Sequence, residues 1–132
     1  MARQSAFVWD ESYKAENDLS TKQYYIVEYT GVDQVDVCDA ASDLAFGVLQ
    51  NKPAANEAAR VRHLGTSLVV SDGSGTAITA GDRVGPNSSG KAVKKATADY
   101  SCIGVAMEGS SANGTVIPVL MIPGLTFRTL GG

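Results

Sequence analysis

The sequence predicts a mainly β protein: a small β-barrel or β-sandwich made of two related β units, with an extended N-terminal arm and a C-terminal tail. Three observations lead to this prediction. Glycine occurs 14 times, and Ser, Thr, Ala and Val are abundant, a composition that favours strands and tight turns over helices. Short apolar runs alternate with turn residues along the chain. A stretch at residues 46–65 has a weaker copy at residues 103–120.

Length and charge restrict the classes of protein that this chain can be. With 132 residues, of which 44% are hydrophobic and 19% charged, it is expected to form one globular domain with a real core. Eleven basic against fourteen acidic residues leave no basic surface for a phosphate backbone, so we expect no nucleic-acid partner. No apolar run approaches the length of a membrane span, and we expect no membrane partner.

The N-terminal segment, at positions 1–18, mixes charges with three spaced aromatic residues, Phe7, Trp9 and Tyr13, and follows no period of 2 or 3.6. It could form a frayed terminus. A purely solvated tail rarely carries three such side chains so close together, however. We therefore expect an arm that docks on a partner.

The strands of the β domain are marked by aromatic and β-branched residues. Residues 24–29 are rich in both, as strands are, and a turn follows at residues 31–34. Val35 and Val37 alternate with Asp36, so the two valines should face the core and the carboxylate should face water. Pro118 lies in a strongly apolar run and cannot donate to a ladder, so we expect it at a sheet edge or a bulge.

Two glycine–asparagine pairs have the same spacing and indicate an internal repeat. Gly47 lies 9 positions before Asn56, and Gly104 lies 9 positions before Asn113, so the copies are offset by the separation between Gly47 and Gly104. The alternative is two unrelated β meanders that share turn chemistry. The bounds expected from duplication are an arm at residues 1–18, a β domain at 19–122 with repeat units at 19–65 and 78–122, and a tail at 123–132.

A near match to the phosphate-binding P-loop occurs at residues 85–91. The P-loop needs a Ser or Thr after its lysine to hold magnesium, but Ala92 stands there. The proline and asparagine of this segment suit a β-turn better. We therefore expect a turn here, with no nucleotide and no other cofactor.

The few side chains suited to catalysis or to metal binding form no recognisable set. His63 is the only histidine, which removes sites built from several histidines, and no Gly-x-Ser-x-Gly segment is present. Cys38 and Cys102 lack Cys-x-x-Cys spacing and are either buried thiols or a disulfide. We expect no catalytic residue, no metal and no enzymatic activity.

Arg60 and Arg62 flank an apolar residue, Val61, in a segment that alternates like a strand. Val61 should face inward and both arginines outward, where they either grip an acidic partner surface or stay solvated. His63 follows them and is expected at the surface or in an interface.

The segments around these residues resemble the capsid cement, or decoration, proteins of tailed bacteriophages. The similarity is carried by the run Phe-Gly-Val-Leu-Gln-Asn-Lys-Pro-Ala-Ala at residues 46–55 and by Ala-Arg-Val-Arg-His-Leu-Gly at residues 59–65. Three shorter segments, at residues 79–84, 90–93 and 103–106, are similar to those that follow in that family. The resemblance covers roughly residues 12–122.

This resemblance implies a structural protein without catalytic residues, which binds the outside of an expanded icosahedral head. We predict as partners the major capsid protein and further copies of the chain, as a homotrimer in preference to a dimer. The implied location is the capsid exterior of a virion assembled in the host cytoplasm. The partner-binding residues that we predict are Phe7, Trp9, Tyr13, Arg60, Arg62 and His63. Two alternatives remain, a carbohydrate-active enzyme carried by a phage and a fibre module that binds the host surface.

Overall fold

A computed structural model describes residues 7–96, 100–122 and 126–127. These residues form strands, turns and loops and contain no helix, so no helix of the described ranges could span a membrane. The strands are β1 (Trp9–Ala15), β2 (Ile26–Gly31), β3 (Gln34–Val37), β4 (Gly47–Leu49), β5 (Ala58–Asp72), β6 (Arg83–Pro86), β7 (Ala92–Lys94), β8 (Tyr100–Ser101), β9 (Gly104–Ala106), β10 (Asn113–Met121) and β11 (Thr126–Phe127). The prediction of a mainly β fold is confirmed.

The first five strands close into a barrel. The order around the ring is β1-β3-β2-β4-β5, and β5 pairs with β1 to complete it. Only the pairing of β1 with β3 is parallel; the others in this ring are antiparallel. Closure leaves these strands without a long free edge, which is the usual protection of a sheet against further pairing.

A second ring of five strands uses the other half of β5. Its order is β5-β10-β9-β6-β7, and β7 returns to β5 through the parallel pair Ser71 and Ala92. The other neighbours in this ring are antiparallel. With 15 residues, β5 is long enough to serve both rings: residues 58–64 pair with β1, and residues 65–72 pair with β10.

Followed from β5 through β7, the second ring has the order β5-β7-β6-β9-β10, which corresponds strand by strand to β1-β3-β2-β4-β5 in the first ring. In both rings the first pair is parallel and the other pairs are antiparallel. β4 begins at Gly47 and β9 at Gly104, which reproduces the offset found in the sequence. The same offset carries Trp9, the first residue of β1, onto Thr66 in the second half of β5. This correspondence supports the proposed duplication and makes β1 the first strand of the first unit.

Residues 9–15 are therefore part of the first barrel, although we expected an arm outside the domain. Tyr13 and Ala15 turn toward the barrel interior, whereas Ser12 and Lys14 are exposed. Main-chain pairing on both sides holds the strand, with β3 on one side and β5 on the other. Of the expected C-terminal tail, residues 126–127 pair with β8, and the remainder lies outside the described residues.

Two apolar cores lie one in each ring, and they share a wall. The first core consists of Ala15, Leu19, Val27, Val35, Leu49, Ala59 and Val61. Ile26 and Val48 are the immediate neighbours of Val27 and Leu49, and they point the other way into the second core, beside Val69 and Ile117. The outer face of β2 and β4 thus completes the second core, so the two rings pack as one body.

The segment that resembles a P-loop forms the turn between β6 and β7. The side-chain oxygen of Asn87 accepts hydrogen bonds from the main-chain N–H groups of Ser89 (2.8 Å) and Lys91 (3.0 Å). Gly90 has a φ of +77°, and a Cβ there would lie 3.1 Å from the carbonyl oxygen of Ile26. The turn predicted here is confirmed.

Candidate partner-binding surface

The inward-facing rows of the first barrel end in aromatic and imidazole rings. Alternation along β1 and β5 leads from the buried Ala15 to Tyr13 and from the buried Val61 to His63. On β2, the buried Val27 is followed two residues later by Tyr29. Phe46 packs on the same core just before β4. The apolar interior of the barrel therefore continues into a group of rings that reaches the surface.

His63 is held from both sides of its ring. Its Nδ1 lies 2.9 Å from the carbonyl oxygen of Phe46, and its Nε2 lies 2.7 Å from the hydroxyl of Tyr13. A carbonyl oxygen only accepts, so in the neutral ring Nδ1 donates to Phe46 and Nε2 accepts the proton of the Tyr13 hydroxyl. Burial, followed by the charge of Glu11, raises the pKa of Tyr13, which keeps this hydroxyl a donor.

The rings pack with the edge-to-face geometry that aromatic pairs favour. Phe46 is central: its ring centre lies 5.2 Å from that of Tyr13 and 4.8 Å from that of His63, at interplanar angles of 68° and 81°. Tyr29 lies 4.8 Å from Phe46 on a tilted plane. Each such contact adds about 0.5–1.5 kcal/mol to the burial of its rings.

Trp9 covers the outer side of this group. Its ring centre lies 4.8 Å from that of His63, and its indole N–H donates to a carboxylate oxygen of Glu11 at 2.9 Å. Trp9 still exposes 48% of its surface and Tyr29 exposes 46%. We name the five rings of Trp9, Tyr13, Tyr29, Phe46 and His63 the aromatic patch. Phe7, two residues before Trp9, is 71% exposed.

Gly47 leaves the room that the aromatic patch needs. A Cβ at this position would collide with Cγ1 of Val61 and lie 2.7 Å from the carbonyl oxygen of Arg62 and 3.3 Å from Nδ1 of His63. The glycine of the Phe-Gly-Val-Leu segment thus allows β4 to approach β5 closely at the point where His63 turns inward.

The two arginines lie on the other face of the same sheet wall. Arg62 forms a two-pronged pair with Asp10, through Nε to Oδ1 (2.8 Å) and Nη2 to Oδ2 (3.1 Å), and donates from Nη1 to the carbonyl oxygen of Thr66 (3.0 Å). The hydrogen bond from Arg62 lowers the pKa of Asp10 and raises that of Arg62. Arg60 approaches Asp10 only to 3.9 Å, and its side chain is 58% exposed.

Five of the six residues predicted from the sequence fall into two groups. Trp9, Tyr13 and His63 meet in the aromatic patch, while Arg60 and Arg62 lie outside the barrel with Asp10. The sixth, Phe7, is exposed before β1. Sequence reasoning missed Tyr29 and Phe46. The strand alternation that leads from Val27 to Tyr29 is the signal that indicates the first of them.

A separate group of carboxylates lies beside the second core. Glu28, Asp39 and Asp43 each offer an oxygen atom within 4.8 Å of the others. Burial, followed by a hydrogen bond with Asp43, raises the pKa of Glu28 to about 7. Asp43 also accepts from the main-chain N–H groups of Asp39 and Ala40, both at 2.9 Å.

Close carboxylates with a raised pKa are the feature that an enzyme of carbohydrates would need. These three do not line either of two surface depressions in the described part of the chain, which measure about 480 and 500 Å³.

Cys38, next to this group of carboxylates, and Cys102 are buried free thiols. Of the two alternatives left open by the sequence, buried thiols or a disulfide, the structure has the first.

Comparison with known proteins supplies the family. Residues 14–121 match the family described as phage cement protein. The structure of the N base of the head fiber gp8.5 of bacteriophage phi29 has a similar fold, with a TM-score of 0.65 and 18% sequence identity over 88% of this chain and 95% of that chain. No curated protein sequence matches the chain. The family is one of phage structural proteins, which points away from an enzyme. The chain belongs to the phage cement protein family and is a structural protein of a bacteriophage head.

Proposed function

We propose that this protein binds the outer surface of a mature, expanded phage head and clamps neighbouring subunits of the major capsid protein. Membership of the cement family supports this role. So does the aromatic patch on the first barrel, which presents large apolar side chains in a fixed arrangement. A ligand that binds only the expanded shell stabilises that shell by mass action.

Trp9 is the observation that carries the proposal. Its ring is half exposed, yet its orientation is fixed by the tilted contact with the ring of His63 and by the hydrogen bond to Glu11. Tryptophan and tyrosine dominate the binding energy of protein interfaces, and an anchor that is already ordered loses little entropy on binding. Phe7 extends this contact surface, and Tyr13 and His63 hold it in position. Arg60, exposed on the other face of the sheet wall beside Arg62, offers a separate charged contact.

The closed barrel restricts how the shell can be bound. β1 pairs with β5 from Trp9 to Lys14, whereas its pairing with β3 is confined to Lys14 and Ala15. A strand from the capsid protein could therefore add only at the short stretch 9–13 of β1, and a longer addition would require the ring to open. We therefore expect contact through side chains of the patch rather than through shared main-chain hydrogen bonds.

Association of several copies completes the proposed clamp. A homotrimer is our first choice and a dimer our second, because closed symmetric oligomers match the symmetry axes of an icosahedral head. Linked copies bind with an avidity that exceeds the affinity of one copy. The proposed location is the outside of the capsid, reached during assembly in the host cytoplasm.

The test uses phage heads that lack this protein, in expanded and unexpanded forms. The purified protein should co-sediment with expanded heads and not with unexpanded ones. Replacement of Trp9 by alanine should weaken binding about 30-fold, which corresponds to an anchor worth about 2 kcal/mol. Leu44→Ala is a matched control, because Leu44 is 76% exposed and lies outside the patch. Equal binding to both forms of the head would contradict the proposal, as would full binding by Trp9→Ala.

A second candidate function is the base of a head fibre, the fibre module left open by the sequence. The specific observation in its favour is that this chain matches 95% of the N base of the gp8.5 head fiber. Antibody labelling of virions in electron micrographs separates the two functions. Label at the root of projecting fibres would favour the fibre base, and label on a shell surface without fibres would favour the cement role.

A further inference from the structure

The longest ladder of the second ring carries a charge only at one end. β10 pairs with β5 from Asn113, opposite Asp72, to Met121, opposite Gly65. Apart from Asp72, neither residues 64–71 nor residues 113–122 contain Asp, Glu, Lys, Arg or His. The inward row of β10, formed by Ile117, Val119 and Met121, is buried in the second core. The outward row is apolar as well, although it faces solvent.

Four aliphatic side chains of this outward face are strongly exposed. Leu68, Val116 and Leu120 expose 45%, 45% and 44% of their surface, and Ile122, directly after β10, exposes 39%. The strand register brings them together, since Pro118 lies opposite Leu68 and between Val116 and Leu120 on the same face. We name Leu68, Val116, Leu120 and Ile122 the apolar stripe; at the rise of a strand it runs for about 20–30 Å.

We propose that copies of this protein associate through the apolar stripe, with the stripe of one copy against the stripe of another. The inference rests on the self-association in the proposed function and names a surface for it. A contact between the same surface of two copies is isologous, so it gives the dimer, the second of the two oligomers proposed there. Copies of an acidic chain, here with a net charge of −3, repel one another, so a self-contact needs a face on which like charges do not meet. Sheets pack face to face through such apolar rows at about 10 Å.

The size of the stripe predicts a weak association. At the exposed fractions given above, the four side chains offer on the order of 300 Å², the lower end of functional patches. Two stripes together bury about 600 Å², roughly half of what the smallest stable interfaces bury. Association should therefore depend on protein concentration in solution and be completed on a shell, where neighbouring copies are held close together.

The test measures molar mass by sedimentation equilibrium over protein concentrations from about 1 to 500 μM, which span the dissociation constants of weak associations. The mass of the natural protein should rise above the monomer value of 13.7 kDa as concentration increases. Leu120→Glu and Leu120→Lys should each remain monomeric, with association at least 10-fold weaker. An equimolar mixture of the two should associate again, because opposite charges then meet across the contact.

Leu44→Glu is the control, since it introduces the same charge at an exposed leucine outside the stripe, and it should associate like the natural protein. The thermal midpoints of the Leu120 variants show whether they remain folded. A natural protein that stays monomeric throughout, or a Leu120→Glu protein that associates normally, would overturn the inference. Loss of shell binding by Leu120→Glu with unchanged association would assign the stripe to the capsid protein instead. If the natural protein associates with itself but does not bind shells, the proposed function is wrong and the stripe remains a contact between copies.

Discussion

The hydroxyl of Tyr13 in β1 and Nε2 of His63 in β5 lie 2.7 Å apart, although 50 positions separate the two residues in the sequence. β1 and β5 are the pair of strands that closes the first barrel. One hydrogen bond thus connects the closure of the barrel to the ring system on which Trp9 rests. The surface that we propose for shell binding depends on the barrel being closed.

Replacement of Tyr13 by phenylalanine should destabilise the protein by about 1 kcal/mol. The ring still packs on Phe46, but Nε2 of His63 loses its donor in a half-buried position. Urea denaturation measures the loss. Tyr25→Phe is the control, because Tyr25 contacts the amine of Lys22 through its ring face. Equal losses in the two variants would show that the bond to His63 contributes nothing specific.

Replacement of Gly47 by alanine should lower the free energy of unfolding by at least about 2 kcal/mol. The new methyl group has no space between β4 and β5, where it would meet Val61 and the main chain of Arg62. Gly75→Ala is a matched control, since nothing lies within 4 Å of a Cβ there. Thermal unfolding of both variants tests this, and a Gly47→Ala protein as stable as the control would contradict the close approach.

Stability should fall as pH rises from about 4.5 to about 7 because of Glu28. Its pKa of about 7 in the folded state lies above the ordinary value of 4.5, so the folded protein binds more protons than the unfolded chain in this range. Its contribution is therefore complete below about pH 4.5 and is lost by pH 8. Asp39, whose pKa is also raised by Asp43, acts in the same direction, and Asp43, whose pKa is lowered, acts in the opposite one.

Glu28→Gln isolates the effect of Glu28. The stability of the variant minus that of the natural protein should be larger at pH 8 than at pH 5. Denaturation of both proteins at the two pH values measures this difference. The exposed Glu108 provides the control through Glu108→Gln, which should keep the pH dependence of the natural protein. A pH dependence that Glu28→Gln leaves unchanged would place its origin elsewhere.

Deletions at the N-terminus should have two distinct outcomes. Removal of residues 1–8 spares β1, so the protein should keep its β-sheet circular dichroism and its cooperative unfolding. Removal of residues 1–15 takes away the strand that pairs with both β3 and β5. Cooperative unfolding should then be lost, because the first ring opens and its core loses a wall. If the protein still folds after the longer deletion, residues 9–15 are not needed to form the barrel, and the prediction is wrong.

The sequence predicted the class of fold because this class depends on local signals, and the same signals led to the prediction of an internal repeat. Glycine and turn residues recur at fixed spacing, and the offset between Gly47 and Gly104 is the offset between β4 and β9. Pro118, which we expect at an edge or a bulge, lies just beyond the end of β9. Its carbonyl oxygen accepts from Met107 there, so its missing N–H interrupts no pairing with β9.

β1 was not recognised because its pattern is set by distant partners. Only Tyr13 and Ala15 of its seven residues turn inward, too few to establish a period of 2. The role of Arg62 was hidden for the same reason. Its match to Asp10 arises from the register between β1 and β5, across 52 positions of sequence, and such a register cannot be read from either segment alone.

The strand common to both rings has a consequence for how the chain can be divided. A cut near Gly65 leaves each piece with one half of β5 and therefore with five strands. The second piece would still lose Ile26 and Val48, which complete its core from β2 and β4, and both pieces would expose the apolar wall that they share, which favours aggregation. The shared apolar wall, rather than the shared strand, is therefore what makes the two rings a single folding unit.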